Sequence, residues 1–228
     1  MIQRVATPEP LRHRLVVLAS GAGTNLQALI DAIACDGLGA EIVGVFSDQP
    51  TCAALQRARD AGIPAIAVSP KPYATRATFD AALFDLVDAA RPELIVCAGY
   101  MRLISAAQVE ARSKRIINLH PSLLPAFKGL HTHQQALDAG VREHGASVHV
   151  VTADLDGGPV IAQARVPVLA DDTAQTLAAR VRGQERPLLV EVVRLFSEGR
   201  LRLGDGPIHL NGKALNDPLQ LRANRWLA

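Results

Sequence analysis

The sequence predicts an α/β fold, in which a mainly parallel twisted sheet carries helices on both faces. Five short apolar, β-branched runs indicate buried strands, at residues 15–19, 42–46, 65–68, 94–98 and 116–119. The stretches between the first four runs place apolar residues at helical spacing, at residues 24–34, 51–61 and 76–90. This alternation of strand and helix is typical of βαβ crossovers, which make neighbouring strands parallel.

The ends of the predicted helices carry suitable capping residues. We expect Thr24 and Thr75 to cap the first and third helix, and Gly62 followed by Pro64 to end the second. These residues support the boundaries of the three helices.

The second half of the chain continues the pattern. After His133 it predicts a short helix ending near residues 139–140, strands at 146–151 and 159–168, and a long helix at 173–197. A β-hairpin is expected across residues 201–215, with its turn at Asp205-Gly206. The first dozen residues and residues 218–228 are expected to be loosely held.

Composition limits the classes of function. With 228 residues, of which 49% are hydrophobic, the chain suits one soluble globular domain. A net charge of +2 and an aromatic fraction of 4% do not favour a nucleic-acid surface. A small anionic substrate is compatible with both values.

The cysteines indicate a reducing compartment. Cys35, Cys52 and Cys97 are odd in number and widely spaced, which argues against a disulfide framework and a thiolate metal site. The amino-terminal residues lack the apolar core of a signal peptide, and no run of about 18 apolar residues marks a membrane span. We therefore expect a cytoplasmic protein that does not insert into membranes.

A glycine-rich turn follows the first predicted strand, with the sequence Ser20-Gly21-Ala22-Gly23-Thr24-Asn25-Leu26. Glycines let the backbone approach a ligand, and the N–H groups of a helix start favour an anion, so the turn predicts a phosphate site. Leu26 replaces the third glycine of a dinucleotide site, which favours a single phosphate, although Asp48 can imitate the ribose-binding acid. A tight turn without a ligand stays an alternative.

Asn118 and His120 lie two residues apart in an extended segment, so both side chains leave the same face of a strand. Pro121 disfavours helical geometry at His120, and the pair lies at the carboxyl end of a buried strand, where open α/β sheets bind ligands. An amide and an imidazole together suit the stabilisation and protonation of a tetrahedral oxyanion. For His120 taken alone, a structural histidine is the alternative.

Asp156 belongs to the turn Leu155-Asp156-Gly157-Gly158-Pro159, which is too rich in glycine to be a helix. A carboxylate near an imidazole raises the pKa of the imidazole and can position a water molecule. An Asx-turn that stabilises its own loop is the alternative.

Four histidines, His131, His133, His144 and His149, invite a metal interpretation. Their spacing matches no common zinc pattern, so we predict a polar wall and no metal. Considered alone, Glu185 and Arg76 are ordinary solvated helix residues.

Taken together, five ordered motifs resemble those of the glycinamide ribonucleotide formyltransferases, and the resemblance covers residues 14–202. The motifs are residues 17–26, residues 98–103, the Asn118-Leu119-His120-Pro121-Ser122-Leu123-Leu124-Pro125 run, residues 129–133, and residues 144–149 leading to Asp156. Two departures from the family pattern are Ala126-Phe127-Lys128, where a Lys-Tyr-Pro-like sequence is frequent, and Asp48-Gln49, where an Asn-basic pair is usual.

The resemblance implies a Rossmann-like formyltransferase fold and transfer of the formyl group of 10-formyltetrahydrofolate to the glycine amine of phosphoribosylglycinamide, in purine biosynthesis. By motif, Gly23, Thr24 and Asn25 would hold the substrate phosphate, and Glu185 would bind elsewhere on that substrate. The folate pocket would be lined by Met101, Arg102, Leu103 and Ile104, with Asn118 beside them and Arg76 facing the glutamate tail.

The resemblance also assigns the chemistry: His120 would be the general acid, Asn118 an oxyanion donor, and Asp156 the group that raises the pKa of His120. It implies a monomer or homodimer that acts on small molecules without metal or ATP. The expected organisation is an extension (1–13), a formyltransferase domain (14–203) and a hairpin and tail (204–228). Within the domain, residues 14–113 form the phosphate-binding half and residues 114–203 the catalytic half.

Three rival functions remain. Formyltetrahydrofolate deformylase shares the Asn-x-His centre but normally carries an amino-terminal regulatory domain, for which we expect no room before Ser20. Methionyl-tRNA formyltransferase needs a further carboxy-terminal domain, which about 25 residues are too few to form. A non-catalytic nucleotide-binding module would keep Gly21 and Gly23 without needing the three polar residues.

Overall fold

The computed structural model describes residues 12–35, 37–204, 206–222 and 225–227, so most of the predicted amino-terminal extension and Asp205 lie outside the described residues. The strands are β1 His13–Leu18, β2 Ala40–Ser47, β3 Ala65–Ala67, β4 Leu94–Cys97, β5 Ile116–His120, β6 Glu143–Val150, β7 Val160–Pro167, β8 Leu201–Arg202, β9 His209–Leu210, β10 Lys213–Ala214, β11 Leu219–Arg222 and β12 Arg225–Leu227. The helices are α1 Thr24–Cys35, α2 Ala53–Asp60, α3 Arg76–Ala89, α4 Ala106–Ala111, α5 Thr132–Asp138 and α6 Ala174–Ser197.

Nine strands form the main sheet, in the order β12-β11-β7-β6-β5-β4-β1-β2-β3. Five neighbouring strands, in the sheet order β3, β2, β1, β4 and β5, are mutually parallel. Strand β6 is antiparallel to both β5 and β7. The predicted mainly parallel sheet is confirmed, with an antiparallel region inserted beside β5.

Side chains that alternate along β1 pack into two different core clusters. Leu15 and Val17 belong to the cluster that contains buried residues of α1, α2 and α6. Val16 and Leu18 belong to the cluster that contains Phe79 and other buried residues of α3. Because both faces of the strand are covered by helices, the predicted helix–sheet–helix layering is confirmed.

Of the two expected amino-terminal helix caps, the structure confirms one. The Thr75 hydroxyl accepts from the Thr78 N–H and forms a reciprocal capping box at the start of α3. Thr24 is instead the first residue of α1, which places Gly23 immediately before the helix. The short helix α4 was not predicted from the sequence.

The carboxy-terminal region is more ordered than expected. Strands β8, β9 and β10 form a small antiparallel sheet that includes the predicted hairpin. Strand β11 pairs in parallel with β7, and Leu219 and Leu221 are buried in the main core. The expectation of a loosely held tail is therefore wrong for Leu219–Arg222, because these residues extend the main sheet. Within the described residues, no helix is long and apolar enough to span a bilayer.

Candidate active site

The glycine turn between β1 and α1 contains a run of backbone N–H groups that are available to a ligand. The N–H groups of Gly21, Ala22, Gly23, Thr24 and Asn25 find no hydrogen-bond acceptor within the described residues. Such donors at a helix start, with the positive end of the helix dipole, favour an anion. The turn therefore has the geometry of a phosphate site.

Gly23 is required at its position for two reasons. Its backbone is left-handed (φ 70°), a conformation that costs other residues about 1–2 kcal/mol. A Cβ atom at this position would also lie 2.6 Å from the Cα atom of Ala54 in α2. The close packing of α2 on the turn thus depends on the missing side chain.

Asn25 and Glu185 come together from opposite ends of the sequence. The Asn25 Nδ2 atom donates to Glu185 Oε2 over 3.1 Å, which links the start of α1 to the middle of α6. Burial raises the pKa of Glu185, although the hydrogen bond from Asn25 lowers it in part. The predicted substrate-binding residues Gly23, Thr24, Asn25 and Glu185 therefore form one neighbourhood.

A second group of polar residues lies around Asp156. Its Oδ2 atom is 3.5 Å from His120 Nδ1, and its Oδ1 atom is 3.5 Å from His149 Nε2. The Gly129 N–H donates to Asp156 Oδ2 over 2.9 Å, and Asn118 Nδ2 lies 3.1 Å from His149 Nε2. The structure thus brings the predicted Asn118, His120 and Asp156 together and adds His149.

The sheet register explains this convergence. In the antiparallel pairing of β5 with β6, Asn118 lies opposite His149 and His120 lies opposite Ser147. Opposed residues project from the same face of a sheet, so four polar side chains share one face. Asp156 reaches them from the loop after β6 on a left-handed backbone (φ 44°), which aspartate adopts more readily than most residues.

Buried side chains hold the loop that follows His120. The Ser147 hydroxyl donates to the Ser122 carbonyl over 2.7 Å and accepts from the Leu124 N–H over 3.0 Å. The Gln163 amide donates to the Leu124 carbonyl over 2.8 Å. Because Ser147 and Gln163 are buried, these bonds fix the loop from beneath.

The pKa of His120 reflects opposed effects of burial and of its polar neighbours. Burial lowers the pKa of His120 below its ordinary value, and the raising effects of the Phe127 carbonyl and of Asp156 do not compensate fully. Burial alone would raise the pKa of Asp156, but His149, the Gly129 N–H and the charge of His120 lower it overall. The carboxylate therefore stays ionised, while burial favours the neutral form of the imidazole.

His120 is 5% exposed, and both of its ring nitrogens face the protein. The Nε2 atom lies 3.0 Å from the Phe127 carbonyl, to which it donates, and Nδ1 faces Asp156. Asn118 is only half-buried and retains a second amide hydrogen. To donate from Nε2 to a ligand, the ring must therefore exchange the Phe127 carbonyl for that ligand.

The segment after β4 has two kinds of side chain. Met101 and Leu103 are 70% and 55% exposed, which is unusual for large apolar residues and suits a ligand surface. Arg102 instead lies over the Phe79 ring, 5.0 Å from its centroid, and Ile104 packs against the α3 core. Only two of the four predicted folate-contacting side chains are thus displayed.

Arg76 is exposed at the start of α3. It lies four residues before Asp80, whose Oδ2 atom accepts from the Ser105 N–H over 2.7 Å. Arg76 therefore lies about one helical turn before the residue that bonds the end of the segment after β4. This position is compatible with the predicted contact to an anionic tail.

Comparisons with known proteins agree with this geometry. The profile of the family described as formyl transferase matches residues 13–193. The chain belongs to the formyl transferase family.

Individual formyl transferases are similar over nearly the whole chain. Phosphoribosylglycinamide formyltransferase of Escherichia coli K12 is 44% identical over 201 residues, which is 88% of this chain and 95% of that protein. The structure of phosphoribosylglycinamide formyltransferase from Coxiella burnetii superposes with a TM-score of 0.85 at 45% identity, covering 90% of this chain and 96% of that one.

A formyltetrahydrofolate deformylase from Pseudomonas syringae is a more distant structural neighbour. Its TM-score is 0.79 at 28% identity, with coverage of 87% of this chain and 66% of that one. The sheet is therefore shared between the two activities, while sequence similarity is higher to the phosphoribosylglycinamide formyltransferases named above.

In this formyl transferase, two contributors to the site were not assigned a role from the sequence. His149 was interpreted as polar wall, yet it contacts both Asn118 and Asp156. The alternation of Ser147 and His149 with buried apolar residues was the available signal, but it needed the antiparallel register of β5 and β6. Phe127 contributes a backbone carbonyl, which its side-chain type does not indicate.

Two other histidines form a separate pair beside the site. His133 Nδ1 lies 3.1 Å from His144 Nε2, and the Phe127 ring packs edge-on against His144. Burial lowers the pKa of His144 to about 4. Among the residues that the structure describes, no group of three or more histidines, cysteines or carboxylates is arranged to hold a metal ion.

Proposed function

We propose that this formyl transferase moves the formyl group of 10-formyltetrahydrofolate to the glycine amine of phosphoribosylglycinamide, in purine biosynthesis. One topological observation carries the proposal: β4 lies between β1 and β5 in the sheet. The glycine turn follows the carboxyl end of β1, the segment with Met101 and Leu103 follows that of β4, and His120 is the last residue of β5. With strands about 4.8 Å apart, the turn and the catalytic strand are separated by about 10 Å along one edge.

This spacing suits two ligands that meet at the middle strand. The N–H groups of the glycine turn bind the phosphate of the acceptor, and Glu185 contacts another part of it. The exposed Met101 and Leu103 side chains contact the pterin of the donor, and Arg76 meets its anionic tail. The acceptor amine and the donor formyl carbon then converge next to Asn118.

The reaction is a direct transfer through a tetrahedral intermediate. The amine forms a bond to the formyl carbon, and negative charge develops on the formyl oxygen. The Asn118 amide and the protonated ring of His120 stabilise this charge, and each such donor is worth about 3 kcal/mol. Collapse of the intermediate breaks the bond to the folate nitrogen, which takes up the proton that the amine releases.

Asp156 acts on the protonation of this site. The His120 Nδ1 atom lies 3.5 Å from Asp156 Oδ2, so a proton added at Nδ1 is stabilised by the carboxylate against the cost of burial. A water molecule that Asp156 positions carries the proton from the amine toward the folate nitrogen. No metal is needed for these steps, and a monomer or homodimer stays the prediction for the oligomeric state.

Deformylation is the second candidate, and the structural similarity to the Pseudomonas syringae deformylase favours it. In that reaction water replaces the amine as the nucleophile. The anion-binding turn and the Asn25–Glu185 pair, 3.1 Å apart, provide a place for a phosphorylated acceptor, which a hydrolase does not require.

The decisive assay incubates purified protein with 10-formyltetrahydrofolate, with and without phosphoribosylglycinamide. We expect tetrahydrofolate release that depends on the acceptor, together with an acceptor mass increased by one formyl group in place of hydrogen. Equal release in buffer alone, with formate as product, would establish deformylation instead. No release of tetrahydrofolate in either mixture would favour a binding module without catalytic activity.

A further inference from the structure

Helix α2 donates hydrogen bonds to two carbonyl groups of the glycine turn. The Ala54 N–H donates to the Gly21 carbonyl over 3.0 Å, and Arg57 Nε donates to the Ala22 carbonyl over 2.9 Å. Two consecutive peptide groups of the glycine turn therefore accept hydrogen bonds from residues of α2. Arg57 is the only side chain involved in these two bonds.

These bonds set the direction of the turn's donors. In a trans peptide the C=O and the following N–H point in opposite directions. With the Gly21 and Ala22 carbonyls directed at α2, the N–H groups of Ala22 and Gly23 point away from it, and neither has an acceptor within the described residues. Successive N–H groups aimed to one side form an anion-binding concavity.

Arg57 has a geometry that a simpler cation does not reproduce. Its Nη1 atom donates to Gln27 Oε1 in α1 over 3.0 Å while Nε bonds the turn. Its Cδ atom would lie 3.2 Å from a Cβ atom on Gly23, so its stem packs on that residue. The half-buried guanidinium thus joins the turn to the first helix through two donors in one plane.

We propose that Arg57 is a positioning residue for the substrate phosphate. It acts through the Ala22 carbonyl, which it holds so that the Gly23 N–H faces the anion, and it adds a fixed positive charge behind the turn. The proposal rests on the phosphate site of the proposed function. Loss of Arg57 weakens phosphate binding while the chemistry at His120 proceeds unchanged.

The test compares Arg57→Met and Arg57→Lys with Arg59→Met. Arg59 is an exposed arginine on the same helix, and its side chain makes no hydrogen bond within the described residues. We expect Arg57→Met to raise KM for phosphoribosylglycinamide about tenfold, with kcat and the KM for 10-formyltetrahydrofolate within twofold of the parent. Arg57→Lys keeps the charge without the planar fork, so its KM should be intermediate, and Arg59→Met should match the parent.

A dephosphorylated acceptor separates positioning from general damage. The kcat/KM for ribosylglycinamide should be equal in the parent and Arg57→Met, because no phosphate is bound. A fall in kcat/KM for both acceptors, or equal KM values for Arg57→Met and Arg59→Met with phosphoribosylglycinamide, would overturn the proposal. If Arg57→Met does not fold, Arg57→Lys and Arg57→Gln supply the same comparison.

Inorganic phosphate gives a readout that needs no activity. Phosphate should raise the thermal unfolding midpoint of the parent and of Arg59→Met, and should raise that of Arg57→Met much less at the same concentration. A parent that is stabilised by phosphate but transfers no formyl group would refute the proposed function and leave the inference on Arg57 standing. Equal stabilisation of Arg57→Met and the parent would refute the inference alone.

Discussion

The glycine turn and the cluster around Asp156 are suited to negative charge in different ways. The turn uses backbone N–H groups that cannot titrate, and α2 holds it with a backbone donor and the guanidinium of Arg57. The cluster uses two imidazoles and a carboxylate, buried with shifted pKa values at His120 and Asp156. One region is suited to bind a permanent anion and the other to respond to a transient one.

This difference predicts two kinetic signatures. Damage to the turn removes an interaction that is present before and during the reaction, so it should raise KM for the phosphorylated substrate. Damage to the cluster removes an interaction that strengthens as the oxyanion forms, so it should lower kcat. Dependence on pH in the range of histidine should arise from the cluster alone.

The largest expected effect is that of His120→Ala. We expect kcat to fall by a factor of about 100 to 1000, because one donor to the oxyanion is lost, with KM for phosphoribosylglycinamide within about threefold. The variant also leaves the Phe127 carbonyl without its donor, which costs about 1–3 kcal/mol of unfolding free energy. Steady-state kinetics and urea denaturation measure both effects.

His209→Ala is the matched control, since His209 lies in the small sheet of β8 to β10. It should retain the parent kcat. Turnover of His120→Ala at the parent level would remove this residue from the mechanism and erase the contrast between the two regions.

The next effect is that of Gly23→Ala, compared with Gly21→Ala. A Cβ atom on Gly23 meets Ala54 at 2.6 Å on a left-handed backbone, whereas a Cβ atom on Gly21 meets nothing within 4 Å. We expect Gly23→Ala to lose about 2–3 kcal/mol of unfolding free energy, from strain and displacement of α2, and to raise KM for phosphoribosylglycinamide more than tenfold. Gly21→Ala should change the unfolding free energy by less than about 1 kcal/mol.

Chemical denaturation and substrate titration of the two alanine variants decide this comparison. Equal losses of stability at the two glycines would show that α2 does not pack on the turn as described. A Gly23→Ala variant with an unchanged KM would separate the turn from phosphate binding.

The smallest effect is a shift in pH dependence. Only the protonated ring of His120 can donate as an acid, so kcat should fall as pH rises through its pKa, which burial lowers below the ordinary value. Asp156→Asn removes the carboxylate that raises this pKa, so the pKa should drop further and kcat should decline at a lower pH. NMR titration of the His120 ring and the pH profile of kcat measure the shift.

Asp154→Asn, an exposed change in the same loop, is the control and should leave the pKa of His120 unchanged. If the pKa of His120 rises in Asp156→Asn, the assigned electrostatic role of Asp156 is wrong. If Gly23→Ala shifts the pH profile of kcat in the same way as Asp156→Asn, the proposed difference between the glycine turn and the cluster is wrong.

The sequence predicted the parallel part of the fold well, because its signals are local. Buried strands such as Leu94–Cys97 are continuous apolar runs, and Thr75 caps its helix through residues three apart. The glycine turn was located for the same reason, since β1 before it and α1 after it are neighbours in the sequence. Asn118 and His120 required only the period of a single strand.

Contacts that depend on distant pairing were not accessible to the same reasoning. The contact of His149 with Asn118 depends on the register of two antiparallel strands, and the place of Leu219 beside β7 depends on the order of strands in the whole sheet. The net pKa of His120 balances burial against a carboxylate 36 positions away in sequence, and only coordinates give both magnitudes. The opposite directions of Met101 and Arg102 likewise follow from packing on α3.

The attachment of α2 to the glycine turn has a thermodynamic consequence. A ligand that binds the turn stabilises the same peptide orientation that α2 holds, so occupancy and docking of the helix must favour each other by equal free energies. Amide protons of Ala53–Asp60 should therefore exchange with solvent more slowly in the presence of phosphate. A substitution that loosens α2 should therefore weaken substrate affinity, even at a position that does not contact the substrate.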